Sequence, residues 1–284
     1  MIYYNPKEWF SLIFKFSKAD TLRELLPLIL WVGLYAGIVT FLLIDVFHVP
    51  ETSVLKKVIF VHQTIGFVFS LLLAFRINSA YDRWWEGRKL WGSLVNNSRN
   101  LAIKLKHLID ERETVFFNYA IPLYARKLKD HLRDKFTVEE QHFISINAQQ
   151  HVPNQVASQI VKHIYRLNRE GKINPEQLMS ITQEFTSFTD ICGACERIKK
   201  TPIPYSYSVF IKKFIFTYIT TLPFTWAFDL KYFIIPIISF ILFVFASIEL
   251  LAEEIENPFG TDANDLPLDD ICENIQKHVG EIFA

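Results

Sequence analysis

The chain has 284 residues, of which 50% are hydrophobic, 26 are Phe and 21% are charged. That division suits a protein shared between lipid and water. Lys+Arg and Asp+Glu balance at 30 each, which removes the net field a nucleic-acid or polyanionic partner would need, and three Cys do not make a disulfide framework.

In chain order, residues 1–18 mix aromatics with Lys7, Glu8, Lys15 and Lys18 and lack an apolar run ending in small residues, so no cleaved signal peptide is expected. Hydrocarbon has no water to satisfy backbone polar groups, so a span must be a long apolar helix or a strand in a closed barrel. Residues 25–44 and 58–75 read as the clearest helical spans, uncharged apart from His62. Residues 214–228, lengthened if 206–211 continue the helix, and 232–248, running on into Glu249, read as two more. Short polar links, 45–57 and 229–231, make these two hairpins. The expected organisation is residues 1–82 for the N-terminal segment and first hairpin, 83–204 for a cytosolic helical region, 205–256 for the second hairpin and 257–284 for a cytosolic tail. Arg76, Arg83, Arg88, Lys89 and Arg99 follow the second span and place that side, with both termini, in the cytoplasm, although Lys56 and Lys57 weigh the other way.

The second span meets no turn signal before Arg88, so one helix leaves the membrane and continues in water. On it Phe67, Leu71 and Phe75 share a face, a pattern that packing against lipid or other helices explains as readily as a pore does. Beyond it, Leu101, Leu105 and Leu108, then Phe117, Ile121, Tyr124, Leu128 and Leu132, recur at helical steps, with Pro122 as a kink or break. Residues 141–154 read as a loop, and Asn174-Pro175-Glu176 as a helix start whose helix reaches about residue 198. No repeat, low-complexity tract or phosphate loop is present.

Cys192-Gly193-Ala194-Cys195 has redox-pair spacing but no strand leading into it, so packing is the expected role. His62 faces ions or is a satisfied histidine, and Trp84, Trp85 and Trp91 belong to an aromatic belt or to helix packing. No catalytic triad, zinc-spaced cluster or paired carboxylate emerges, so the chain is not expected to be an enzyme. The acidic run after the fourth span, from Glu253 to Asp265, is a solvated helix end or a site for a hard cation without EF-hand spacing.

Asn257-Pro258-Phe259-Gly260 followed by acidic residues, together with Arg83-Trp84-Trp85 after an apolar helix, resembles the bestrophin family of channels, and the likeness covers nearly the whole chain. The resemblance implies an all-α membrane protein with four spans per subunit, assembled as a homopentamer around a central pore lined by the second span. It implies that Phe67, Leu71 and Phe75 form an apolar neck that gates by closure or dewetting. Alignment on Cys192-Gly193 places the cytosolic exit at Glu176, with Gln177 and Leu178 adjacent; a ring of carboxylates there would attract cations, whereas a first-turn Glu also simply suits the helix dipole. In animal members the acidic turn clasps calcium. The matching groups are the Asp262 and Asp265 carboxylates, with carbonyls from Glu254 and Asn257, but Ala263 and Asn264 interrupt the acidic run, so no cofactor is expected to be required. The reading is a passive channel for small monovalent ions with a slight cation preference, in contact with lipid and with copies of itself. Its rivals are a chloride channel, a non-conducting scaffold and a coupled transporter, the last of which would show broken helices with midplane charges.

Overall fold

A computed structural model describes residues 21–50, 54–135 and 143–284, so the signal-peptide expectation for residues 1–18 lies outside the described residues. Among the described residues there are helices and no strands. They are α1 (Thr21–Phe41), which passes into a π-turn, α2 (Val54–Lys57), α3 (Ile59–Leu108), α4 (Glu111–Leu132), α5 (Val152–Arg169), α6 (Pro175–Lys200), α7 (Tyr205–Leu230), α8 (Ile234–Glu256) and α9 (Leu268–Phe283). Among the described residues, three stretches are long and apolar enough to cross a membrane: Thr21–Val46, Val54–Leu108 and Tyr205–Glu256, the last holding both α7 and α8.

α3 has 50 residues, about 75 Å at 1.5 Å per residue, because nothing from Ile59 to Leu108 removes a backbone donor. α4 begins after Asp110 with Glu111 and Glu113 in its first turn and closes with Lys129 in its last, each of these charges matched to the helix dipole. Pro122 lies inside α4 and does not divide it, which sets aside the break and leaves the kink. α6 starts with a full capping box, Asn174 and Gln177 each satisfying the other's backbone, with Pro175 at the first helical position. The expected loop at 141–154 ends sooner than the sequence implied, since α5 is already helical at Val152, capped by His151. α7 extends back to Tyr205 and reaches 26 residues, long enough to span.

The chain forms two compact units. One combines the described part of Ile2–Asp82 with Pro202–Glu256. In it α1 lies along α8, and Gly33 permits the approach: a Cβ there would meet Ser239 Oγ at 3.1 Å. Its core contains Phe69, Leu73, Ile215, Ile219 and Leu242, with Phe69 stacked on Phe214 at 4.1 Å. The other unit combines Arg83–Thr201 with Asn257–Ala284. Its core takes in Trp91, Leu101, Leu105 and the whole stripe from Phe117 to Leu132, against α5, α6 and α9. Tyr124 stacks on Phe188 and donates its hydroxyl proton to that residue's carbonyl at 2.5 Å.

Candidate functional site

Phe67, Leu71 and Phe75 are 68%, 48% and 64% exposed and form a continuous apolar stripe along α3. The opposite face of the same helix is buried, with Phe69 at 0%, Leu73 at 1% and Arg76 at 1%. A helix that buries one face in its own subunit and leaves a second apolar face uncovered is shaped to meet something outside the chain. The stripe continues into exposed Asn78 and Asp82, at three- and four-residue steps beyond Phe75. The Asp82 carboxylate, to which the sequence drew no attention, makes no ion pair with a described residue.

Arg76 follows Phe75 directly and points to the other side. Its Nη2 donates to Glu256 Oε2 at 2.8 Å, its Nε lies 3.4 Å from Glu249 Oε2, and Glu256 Oε1 accepts from the Ile203 backbone N–H at 2.6 Å. The guanidinium therefore ties α3 to α8, and the Glu256 carboxylate ties α8 to the segment just before α7. Sequence reading set Arg76 at the head of a basic run; the structure puts it in the core. Nearer the other end of α3, His62 Nε2 pairs with Thr221 Oγ1 at 2.9 Å, the satisfied-histidine arrangement.

In the second unit Arg83 donates to the carbonyls of Ile198 at 2.5 Å and Thr201 at 2.6 Å, satisfying carbonyls that the end of α6 leaves open. Trp84 Nε1 donates to the Asn264 carbonyl at 3.0 Å and Trp91 is fully buried, so these tryptophans serve packing. Phe259 is fully buried as well and sits against Gly87, where a Cβ would come within 3.1 Å of its ring. Arg133 Nε reaches the carbonyls of Phe259 at 3.2 Å and Gly260 at 3.1 Å. Within the Asn-Pro-Phe-Gly run it is thus Pro258 and Phe259 that are buried, with Phe259 in the helical core.

The predicted metal-ligating residues are arranged differently from one another. Asp265 is 2% exposed and its Oδ2 accepts from the Asp262 backbone N–H at 2.6 Å, which makes it an internal brace of the turn. Asp262 is exposed, Glu254 is half-buried in the last turns of α8, and Asn257 is exposed in the turn that follows. Glu176 is exposed in the first turn of α6, and its carboxylate makes no ion pair with a described residue. Cys192 and Cys195 lie inside α6, where burial pushes the Cys192 thiol up to about 12 and the Cys195 thiol up as well. Neither is a thiolate nucleophile at neutral pH, which agrees with a packing role.

Residues 1–281 match the family described as Bacterial/Fungal Bestrophin protein. A voltage-dependent anion channel-forming protein of Nostoc sp. is 32% identical, over 98% of this chain and 92% of its own length. The voltage-dependent anion channel-forming protein YneE of Escherichia coli K12 is 33% identical over 75% of this chain and 72% of its own. Among solved structures, a bestrophin homologue from Klebsiella pneumoniae, phased on zinc, superposes with a TM-score of 0.81 at 25% identity, covering 90% of this chain and 97% of the other.

Proposed function

This chain belongs to the bacterial/fungal bestrophin family, and we propose that it forms a homopentameric channel of four-span subunits that passes small monovalent ions passively through an apolar neck of Phe67, Leu71 and Phe75. The observation that carries this reading is the uncovered stripe on α3, whose reverse face is fixed in the subunit core. Brought together around an axis, such stripes make a constriction that water leaves readily. α1, α3, α7 and α8 are the four spans, and the basic residues after the second, Arg83, Arg88 and Lys89, favour a cytoplasmic position for that end of α3 and for both termini. The family is one of channels rather than enzymes. The turn from Asn257 to Asp265 acts as a structural turn without calcium, which the inward Asp265 carboxylate supports.

Selectivity has two readings. Exposed carboxylates at Asp82, on the neck's own face of α3, and at Glu176, at the start of α6, favour cations. The relatives in Nostoc and Escherichia coli carry names that specify anions, and these favour the alternative.

Reversal potentials in planar bilayers under asymmetric sodium chloride test both. The proposal expects a cation-side reversal that moves toward zero in Glu176→Gln and larger currents from Leu71→Ala. An anion-side reversal establishes the second reading and retains the channel. Absence of current from wild type and Leu71→Ala alike would refute conduction and leave a membrane scaffold.

A further inference from the structure

Away from the neck, three side chains from three elements of the second unit converge on one point. His131 is in the last turn of α4, His151 is the N-cap of α5, and Glu196 is one turn from the end of α6. The Nε2 atoms of both histidines lie 2.6 Å from the same oxygen, Glu196 Oε1, and the two rings are 4.5 Å apart between centroids. Among the described residues this is the one group of three His, Cys, Asp or Glu donors drawn within 4.8 Å of each other.

Hydrogen bonding alone gives a partial account. His151 Nδ1 accepts from the Asn154 backbone N–H at 3.2 Å, so in the neutral ring the proton is on Nε2 and is donated to Glu196. Burial by itself would raise the Glu196 carboxyl, but the hydrogen bonds from His151 and His131 outweigh it and hold the group below the usual carboxylate range. An ionised carboxylate with two imidazole nitrogens crowded on one of its oxygens is also the donor set of a borderline divalent ion. Lys200 Nζ stands 3.6 Å from the other oxygen, Oε2, which leaves Oε1 as the ligand atom. The two histidines line a cavity of about 390 Å³, so water can reach the remaining coordination position.

We propose that His131, His151 and Glu196 bind one divalent transition-metal ion of the zinc class per subunit, completed by water. Bonds of about 2.0–2.1 Å in a tetrahedron set ligand atoms about 3.3 Å apart, so the present 2.6 Å contacts open by about 0.7 Å on loading, a side-chain movement. The Nε2 proton of each neutral ring moves to Nδ1. For His151 this ends the acceptance from Asn154, so the ion takes over from the cap in holding α5 against α4 and α6. Two nitrogen donors select against magnesium and calcium, which require oxygen shells. The cysteine thiols do not compete, since burial raises all three.

The test uses the full chain purified in detergent, stripped with chelator and kept reduced, with zinc chloride titrated against a chromophoric chelator. His151→Asn removes the imidazole but supplies another good cap residue, and Glu196→Gln keeps the shape of the acid. The expected result is one zinc per subunit in wild type, weakened about a hundredfold or more in either variant, with no competition from magnesium. Cobalt should give the visible absorption of a four- or five-coordinate ion in wild type and lose it in His151→Asn, while circular dichroism stays unchanged. Equal zinc stoichiometry and affinity in wild type and both variants would overturn the proposal, as would a wild type that takes up no zinc.

Discussion

Replacing Arg76 by Met should be among the most damaging single changes to the membrane unit, although Arg76 lies on the far side of α3 from the exposed Phe67, Leu71 and Phe75 stripe. The Arg76 side chain is 1% exposed, Glu249 4% and Glu256 13%. Met fills similar space and removes the guanidinium that meets both carboxyl groups. Removing one partner of a buried pair costs about 3–5 kcal/mol, because the charge left behind stays out of water. With a few degrees per kcal/mol for a chain of this size, the melting temperature of the detergent-purified protein should fall by on the order of ten degrees. Arg76→Lys should lie between, since one ammonium cannot reproduce a fork that meets Glu256 at 2.8 Å and Glu249 at 3.4 Å. Glu249→Gln should cost less than Arg76→Met, because it leaves the shorter pair intact. A melting temperature for Arg76→Met within about two degrees of wild type, a loss of no more than about 1 kcal/mol, would refute the reasoning, as would a larger loss from Glu249→Gln than from Arg76→Met.

Further outcomes follow from the second unit. Glu113 is held at about 2, against 4.5 for the free group: burial would raise it, but hydrogen bonds from Lys172 and His163 and the charge of Arg166 outweigh that. A depressed carboxyl stabilises above its unfolded pKa and loses that contribution as pH falls from about 4.5 through about 2. Glu113→Gln should therefore cost about 1–2 kcal/mol at pH 7, with Lys172 and Arg166 partly screened by solvent, and the melting difference from wild type should shrink toward pH 2–3. Gly87→Leu should cost about 1–3 kcal/mol by forcing Phe259 and Pro258 away from α3, read in the same melts. Iodoacetamide at pH 8 should leave Cys192 and Cys272 unmodified in folded protein by mass spectrometry, since burial holds each thiol at about 12 and only ~10⁻⁴ is thiolate.

Much of the helical framework was legible because it rests on local rules. The stripe from Phe117 to Leu132 has a helical period and is buried as a face. Asn174-Pro175 carries its own start signal, and α3 runs unbroken because the chain offers nothing to stop it. Pro122 left a kink or a break open, and the helix runs on because a single missing donor inside a well-packed helix is outweighed by the face it buries. α9 drew no attention, although Leu268, Ile271, Ile275 and Val279 make a buried stripe. The His131, His151 and Glu196 group was hidden for a different reason: its members are brought together by the packing of α4, α5 and α6 and not by spacing.

The acidic stretch that closes the fourth span shows most clearly where sequence reading stops. As a string, Glu249, Glu253, Glu254 and Glu256 look like one negatively charged helix end. In the helix, Glu249 and Glu256 are two turns apart on one side and turn inward to Arg76, while Glu253 turns outward to Lys212 at 2.9 Å. Much of the charge is therefore answered within the subunit and adds little to any field along a pore. A cation preference has to rest on carboxylates without such partners, such as Asp82 on the Phe67, Leu71 and Phe75 face of α3 and Glu176 at the start of α6. This shifts the decisive comparison. If reversal responds to Asp82→Asn and Glu176→Gln but not to Glu253→Gln, selectivity follows the uncompensated groups; a response to Glu253→Gln alone would mean that the helix end governs after all.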